Sequence, residues 1–170
     1  RHTSAALGSG KLGPWLSEGV AGCAWVLAQL TEADEALDSA CSAPLVAGAP
    51  WELLAGMAGT AAYAQNRPIA TTLADRLVRE LGDADLWISP AVANPLHVQP
   101  RPYLNYGIGH GAPGALLALA ALGGPPEVLV RASRALLAVR GPEEGRRFPS
   151  TSLSGEPART AWCYGDPGVA

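Results

Sequence analysis

A chain of 170 residues that is 48% hydrophobic and 16% charged holds enough apolar material for a buried core, which excludes a disordered polymer. Its net charge of −3 combines fifteen acids with eleven scattered arginines and a single lysine, Lys11, leaving no basic stripe for nucleic acid. No apolar run approaches the roughly 20 residues that cross a bilayer, and the start Arg1-His-Thr-Ser lacks the charged-then-apolar order of a secretory signal. A cytoplasmic protein without a membrane span is expected, and the absent initiator Met suggests a processed or recombinant segment. Three cysteines, an odd number, argue against a disulfide framework.

In chain order, Gly19-Val-Ala-Gly22 opens Cys23-Ala-Trp-Val-Leu-Ala-Gln-Leu30, apolar on nearly every side and therefore read as a helix buried all round. Thr31-Glu-Ala-Asp-Glu-Ala-Leu-Asp38 follows, with a capping threonine and acids that suit a helix dipole. Gly56-Met-Ala-Gly59 then leads into a second apolar run, Thr60-Ala-Ala-Tyr-Ala-Gln65. After it, residues 69–81 place Leu73, Leu77 and Leu81 on one face, with Asp75, Arg76, Arg79 and Glu80 around them. Gly111-Ala-Pro-Gly114 precedes Ala115-Leu-Leu-Ala-Leu-Ala-Ala-Leu122, and residues 126–139 repeat the amphipathic pattern with Val128, Leu129, Ala132 and Leu136. A fourth copy, Gly165-Asp-Pro-Gly168, stands near the end.

The first glycines of the four copies lie 37, 55 and 54 residues apart. Such periods, with each Gly-x-x-Gly opening an apolar run, predict an all-α array of helical hairpins with buried inner and half-exposed outer helices. An α/α toroid fits that alternation. Its inner-helix glycines allow close packing and are expected to leave backbone N–H groups facing a central cavity. Short ribbons are expected only in the proline-rich loops at 83–105 and 140–160.

Two copies carry chemistry. Arg159-Thr-Ala-Trp-Cys-Tyr-Gly-Asp-Pro-Gly168 puts a thiol and a cation beside a glycine-rich turn, and Asn105-Tyr-Gly-Ile-Gly-His-Gly-Ala-Pro-Gly114 is read with His110 in the place of Cys163. A thiol at a helix start is favoured as thiolate by the dipole and free N–H groups. His110, between glycines, is expected to project toward whatever the repeats enclose. Cys23 and Cys41, among alanines, read as small buried hydrophobes. His2 reads as terminal, and His97, between Pro95 and Pro100, as solvent-exposed. A Cys–His hydrolase with Cys163 as nucleophile and His110 as base is one alternative, and a non-catalytic helical-repeat binding module is another.

Together, Gly107-Ile-Gly-His-Gly-Ala-Pro-Gly114 and Arg159-x-x-Trp162-Cys-Tyr-Gly165 resemble the lanthionine synthetase C family, the zinc-dependent cyclases of lanthipeptide biosynthesis and their relatives. Pro14-Trp-Leu-Ser-Glu-Gly-Val-Ala-Gly22 resembles that family's first repeat, and Trp51-Glu-Leu-Leu-Ala-Gly56 its second. The resemblance implies a cyclase that adds a peptide cysteine to dehydroalanine or dehydrobutyrine in the same precursor, closing a thioether ring. It implies one Zn2+ held by Cys, Cys and His, with Cys163 matching the first ligand. Three protein ligands leave an open position for the substrate sulfur.

The resemblance makes His110 the proton donor or acceptor, Arg159 a stabiliser of enolate charge, and Trp162 and Tyr164 substrate-binding residues of the cavity wall. Glu52 falls where many members carry an Asp thought to assist proton transfer. The other two zinc ligands belong, in the family, to a Cys-His-Gly motif of the following repeat. The 170 residues therefore read as one toroid domain truncated before its C-terminal repeats. Expected partners are a dehydrated precursor peptide, the remaining repeats and a biosynthetic dehydratase.

Overall fold

A computed structural model describes residues 12–17, 19–30, 35–94, 97–141, 148–154 and 156–169. The chain forms two compact units, Arg1–Glu80 with Ala118–Gly124, and Leu81–Leu117 with Pro125–Ala170. The described elements are α1 (Val20–Leu30), α2 (Glu35–Ser42), a 3-10 turn (Met57–Thr60), α3 (Ala61–Ala64), α4 (Ile69–Leu81), β1 (Val92–Asn94), β2 (His97–Gln99), α5 (Ala112–Ala121), α6 (Pro126–Ala138) and α7 (Asp166–Val169). The fold is all-α. Its one described ribbon, β1 antiparallel to β2 with Ala93 opposite Val98, sits in the 83–105 loop where a short ribbon was expected.

In the first unit, α1 packs against α2, the 3-10 turn and α3. Helix α4 buries Ile69, Leu73, Leu77 and Leu81 at helical spacing and leaves Asp75 and Arg79 in water. Each such aliphatic side chain contributes about 1.5–3 kcal/mol on burial. A polar cluster ties α2 to α3: the Tyr63 hydroxyl donates to Asp38 Oδ1 at 2.6 Å, and Arg67 pairs with the same oxygen at 3.5 Å. The Arg67 guanidinium also lies over the Tyr63 ring, 4.2 Å from its centroid. Beside them Cys41 is buried as expected, and burial, followed by the Asp38 charge, pushes its thiol up to about 12. The thiol is therefore an inert hydrophobe, whereas Cys23 is only half-buried.

The expectation of inner helices buried all round does not hold for α1. It buries only Ala21 and Ala24, while Trp25 is 44% and Leu30 76% exposed. The small alanines let neighbouring backbones approach, so the bulky residues fall on the opposite side. The expected cap at Thr31 lies outside the described residues.

The second unit packs α6 through Val128, Ala132 and Leu136, and Pro126 starts that helix where its missing N–H costs nothing. Much of its remaining core comes from loops: Leu86, Trp87, Tyr103, Tyr106, Phe148 and Ala158 are all buried.

Each Gly-x-x-Gly copy starts a helix one residue after its first glycine, at Val20, Met57, Ala112 and Asp166. The loop ahead folds back over that start. Val20 N–H donates to Gly13 O at 2.9 Å, Met57 N–H to Pro50 O at 2.7 Å, and Ala112 N–H to Asn105 O at 2.9 Å. In each case the acceptor lies seven residues earlier. Ala21 and Ala58 repeat the pattern onto Pro14 O and Trp51 O. The expectation that these N–H groups face a cavity is thus corrected: their own loops cap them, satisfying donors that would otherwise be orphaned. The carbonyl six residues before each first glycine (Gly19, Gly56, Gly111, Gly165) crowds the place a Cβ would take, so a side chain does not fit there.

Candidate functional site

The glycine contacts fix the register of the two chemical copies. Gly111 meets the carbonyl of Asn105, and Gly165 that of Arg159. In this register Asn105 corresponds to Arg159, Gly109 to Cys163, and His110 to Tyr164. The reading that set His110 in the place of Cys163 is one residue out, because the loop carbonyls and not the polar side chains define the repeat.

The last copy forms a tight hairpin. Ala161 N–H donates to Tyr164 O and Tyr164 N–H to Ala161 O, both at 3.3 Å, which places Trp162 and Cys163 at its tip. Gly165 follows at φ 86, a left-handed conformation that glycine adopts without strain. Cys163 therefore sits in a turn three residues ahead of α7, not at the helix start that the sequence suggested. The short α7 gives it no dipole argument for a thiolate. The thiol is half-buried and Trp162 is 57% exposed.

Arg159 is exposed, hydrogen-bonds through Nη2 to the Tyr164 hydroxyl, and lies 5.2 Å from the centroid of the Tyr164 ring. That hydrogen bond holds the guanidinium further toward its charged form. Behind the hairpin, Asp166 Oδ1 accepts Phe148 N–H at 3.1 Å, and Ala158 N–H donates to Phe148 O at 2.8 Å.

Within this unit, three backbone hydrogen bonds join the Cys163 hairpin and the loop ahead of it to the loop carrying His110. Tyr106 N–H donates to Ser150 O at 3.0 Å and Ser152 N–H to Leu104 O at 2.8 Å, a small bridge between the two pre-helix loops. Gly109 N–H then reaches Cys163 O at 3.4 Å. Gly107 meets the same carbonyl and the Tyr164 Cβ so closely that any Cβ there would collide. His110, the next residue after Gly109, is exposed. The backbone neighbours of His110 and Cys163 thus touch, with Arg159, Trp162 and Tyr164 on the same hairpin. Glu52 belongs to the other compact unit, half-buried ahead of Met57–Thr60. Sequence reasoning passes over Asn105, whose signal is its register with Arg159 and the Asn-x-Gly pattern of a side-chain-closed turn.

A helical-repeat protein with Gly-x-x-Gly helix starts and a paired His-loop and Cys-hairpin is the class these features define. The chain belongs to the lanthionine synthetase C-like proteins, whose family model matches residues 19–170. No curated protein and no solved structure matches the chain.

The family implies zinc, which takes three protein donors in a catalytic site. Among the described residues no group of three His, Cys, Asp or Glu side chains is placed to hold a metal ion. Cys163 suits zinc by chemistry, but one donor does not make the site, so the described residues alone do not fit the ion. No helix among them is long and apolar enough to cross a membrane.

Proposed function

We propose that this chain forms the His110 and Cys163 repeats of a thioether-forming cyclase with an α/α toroid. The observation that carries the reading is the Gly109–Cys163 backbone contact, which joins the two chemical loops within one compact unit of a family member. In the reaction the thiol of a peptide cysteine adds across the Cα=Cβ bond of a dehydroalanine or dehydrobutyrine. A C–S bond forms at Cβ, the π electrons pass to an enolate, and a proton is delivered to Cα, so the product is an isomer of the substrate.

His110 is exposed between glycines, where its imidazole can take the thiol proton or give one to Cα. Arg159, held by Tyr164, is the cation for enolate charge. Trp162 and Tyr164 contact the peptide, and Glu52, where many family members carry an Asp, assists proton transfer. Cys163 is the residue of this chain that would donate to zinc, alongside a Cys and a His of the repeat that follows in the family. Zinc when bound keeps a thiol deprotonated at neutral pH. The substrate is a dehydrated precursor peptide.

The test uses the natural protein and a synthetic peptide bearing one dehydroalanine and one cysteine, following loss of free thiol at constant mass. His110→Ala should lower kcat by about 10²–10⁴. A variant with full activity removes His110 from the chemistry. The exposed Trp162 favours a second reading, a peptide-binding module without catalysis. That module would bind the probe and leave its thiol intact.

A further inference from the structure

We propose that Asn105 is a positioning residue for His110, an inference that rests on the catalytic reading of that histidine. Asn105 holds both ends of the loop on which His110 stands. Its side-chain Oδ1 accepts Gly107 N–H at 2.8 Å, and its backbone carbonyl accepts Ala112 N–H, the first of α5, at 2.9 Å. Asn105 is itself anchored, because its backbone bridges to Thr151 and the next residue donates to Ser150 O. The residues it closes, Gly107 to Gly109, are those packed on the Cys163 carbonyl.

Comparison between copies separates this role from the general construction of the repeat. The place six residues before the first glycine is held by Gly13, Pro50, Asn105 and Arg159. Gly13 and Pro50 deliver the same carbonyl cap with no side chain that could hydrogen-bond. The Asn105 amide is therefore not needed to start the helix. It closes a turn within the His110 copy, while the equivalent Arg159 side chain bonds Tyr164 in the Cys163 copy. By fixing Gly107, Asn105 fixes where the next three residues, His110 included, stand relative to the Cys163 hairpin. An acceptor oxygen on a two-carbon reach is what the turn requires, so Asp preserves it and Ala removes it.

The experiment compares Asn105→Ala, Asn105→Asp and His110→Ala in the natural protein, with the dehydroalanine–cysteine peptide as probe. Helix content by circular dichroism is recorded, together with the ¹H–¹³C imidazole resonances of labelled histidine. Asn105→Ala should lower kcat by about tenfold to a hundredfold with little change in KM, as misplacement of a catalytic group does. The His110 resonance should shift or broaden, and Asn105→Asp should restore most of the rate. Wild-type kcat in Asn105→Ala, where His110→Ala is inactive, overturns the inference and leaves the cyclase reading standing. A loss that Asp does not restore, accompanied by loss of helix, reduces Asn105 to a fold residue and overturns it as well. Full activity in His110→Ala overturns the cyclase role of His110. The imidazole resonance then decides alone, and an unmoved signal in Asn105→Ala overturns the positioning.

Discussion

A methyl group on Gly111 would occupy space already filled by the carbonyl of Asn105, the same carbonyl that caps α5. Gly111→Ala must push that loop away and strain the cap, so it should cost about 1–3 kcal/mol. Urea unfolding should show a lower midpoint, and an unchanged midpoint would mean the loop yields freely. Cys41 makes a different kind of demand. Its thiol is raised to about 12 by burial and by Asp38, above the ordinary range near 8.5. A raised native value stabilises the fold below the unfolded pKa, and that contribution fades as pH climbs from the unfolded value through the native one. Stability should therefore fall between about pH 8.5 and 12, and Cys41→Val should flatten part of the slope. Tyr63, whose hydroxyl is raised by burial and by donating to Asp38, adds to the same alkaline loss and remains in the variant. With a thiol reagent under native conditions, Cys163 should label well before Cys41.

At the scale of elements, what could be read from the sequence divides by how each helix is patterned. The amphipathic pair α4 and α6 was legible because leucines and valines at helical spacing, ringed by charge, leave one face to bury, and Leu73, Leu77, Val128 and Leu136 are buried. The starts of α1, the 3-10 turn and α5 were legible from their glycines. Which side of α1 faces inward was not, because an all-apolar helix has no period to read, and small alanines rather than Trp25 or Leu30 took the core side. Equally hidden were Trp87, Tyr103, Tyr106 and Phe148, core residues supplied by irregular loops without periodicity. The difference is measurable. Leu77→Ala, at a fully buried site, should cost about 2–5 kcal/mol, whereas Leu30→Ala should stay within about 0.5 kcal/mol. Equal losses in urea unfolding would mean that α1 buries its outer face in solution.

For the molecule as a whole, the sequence motifs list candidate site residues but not how they are arranged. The motifs name His110, Arg159 and Cys163, but the register that sets His110 against Tyr164 emerges only from backbone carbonyls meeting Gly111 and Gly165. Metal binding tests how far that inventory reaches. The chain has three cysteines and three histidines, yet its described residues gather no three-donor group around Cys163. Structural zinc sites draw on the order of 10 kcal/mol or more from a complete ligand set, so a single thiol retains little of that affinity. The 170-residue chain, dialysed against a mild chelator, should hold far less than one equivalent of zinc. A chain in which a following family repeat completes the ligand set should hold one equivalent and lose it with Cys163→Ala while its helices stay folded. One tight equivalent in the 170-residue chain that survives Cys163→Ala would show that other donors bind the ion. Cys163 would then be a hairpin residue without a metal role.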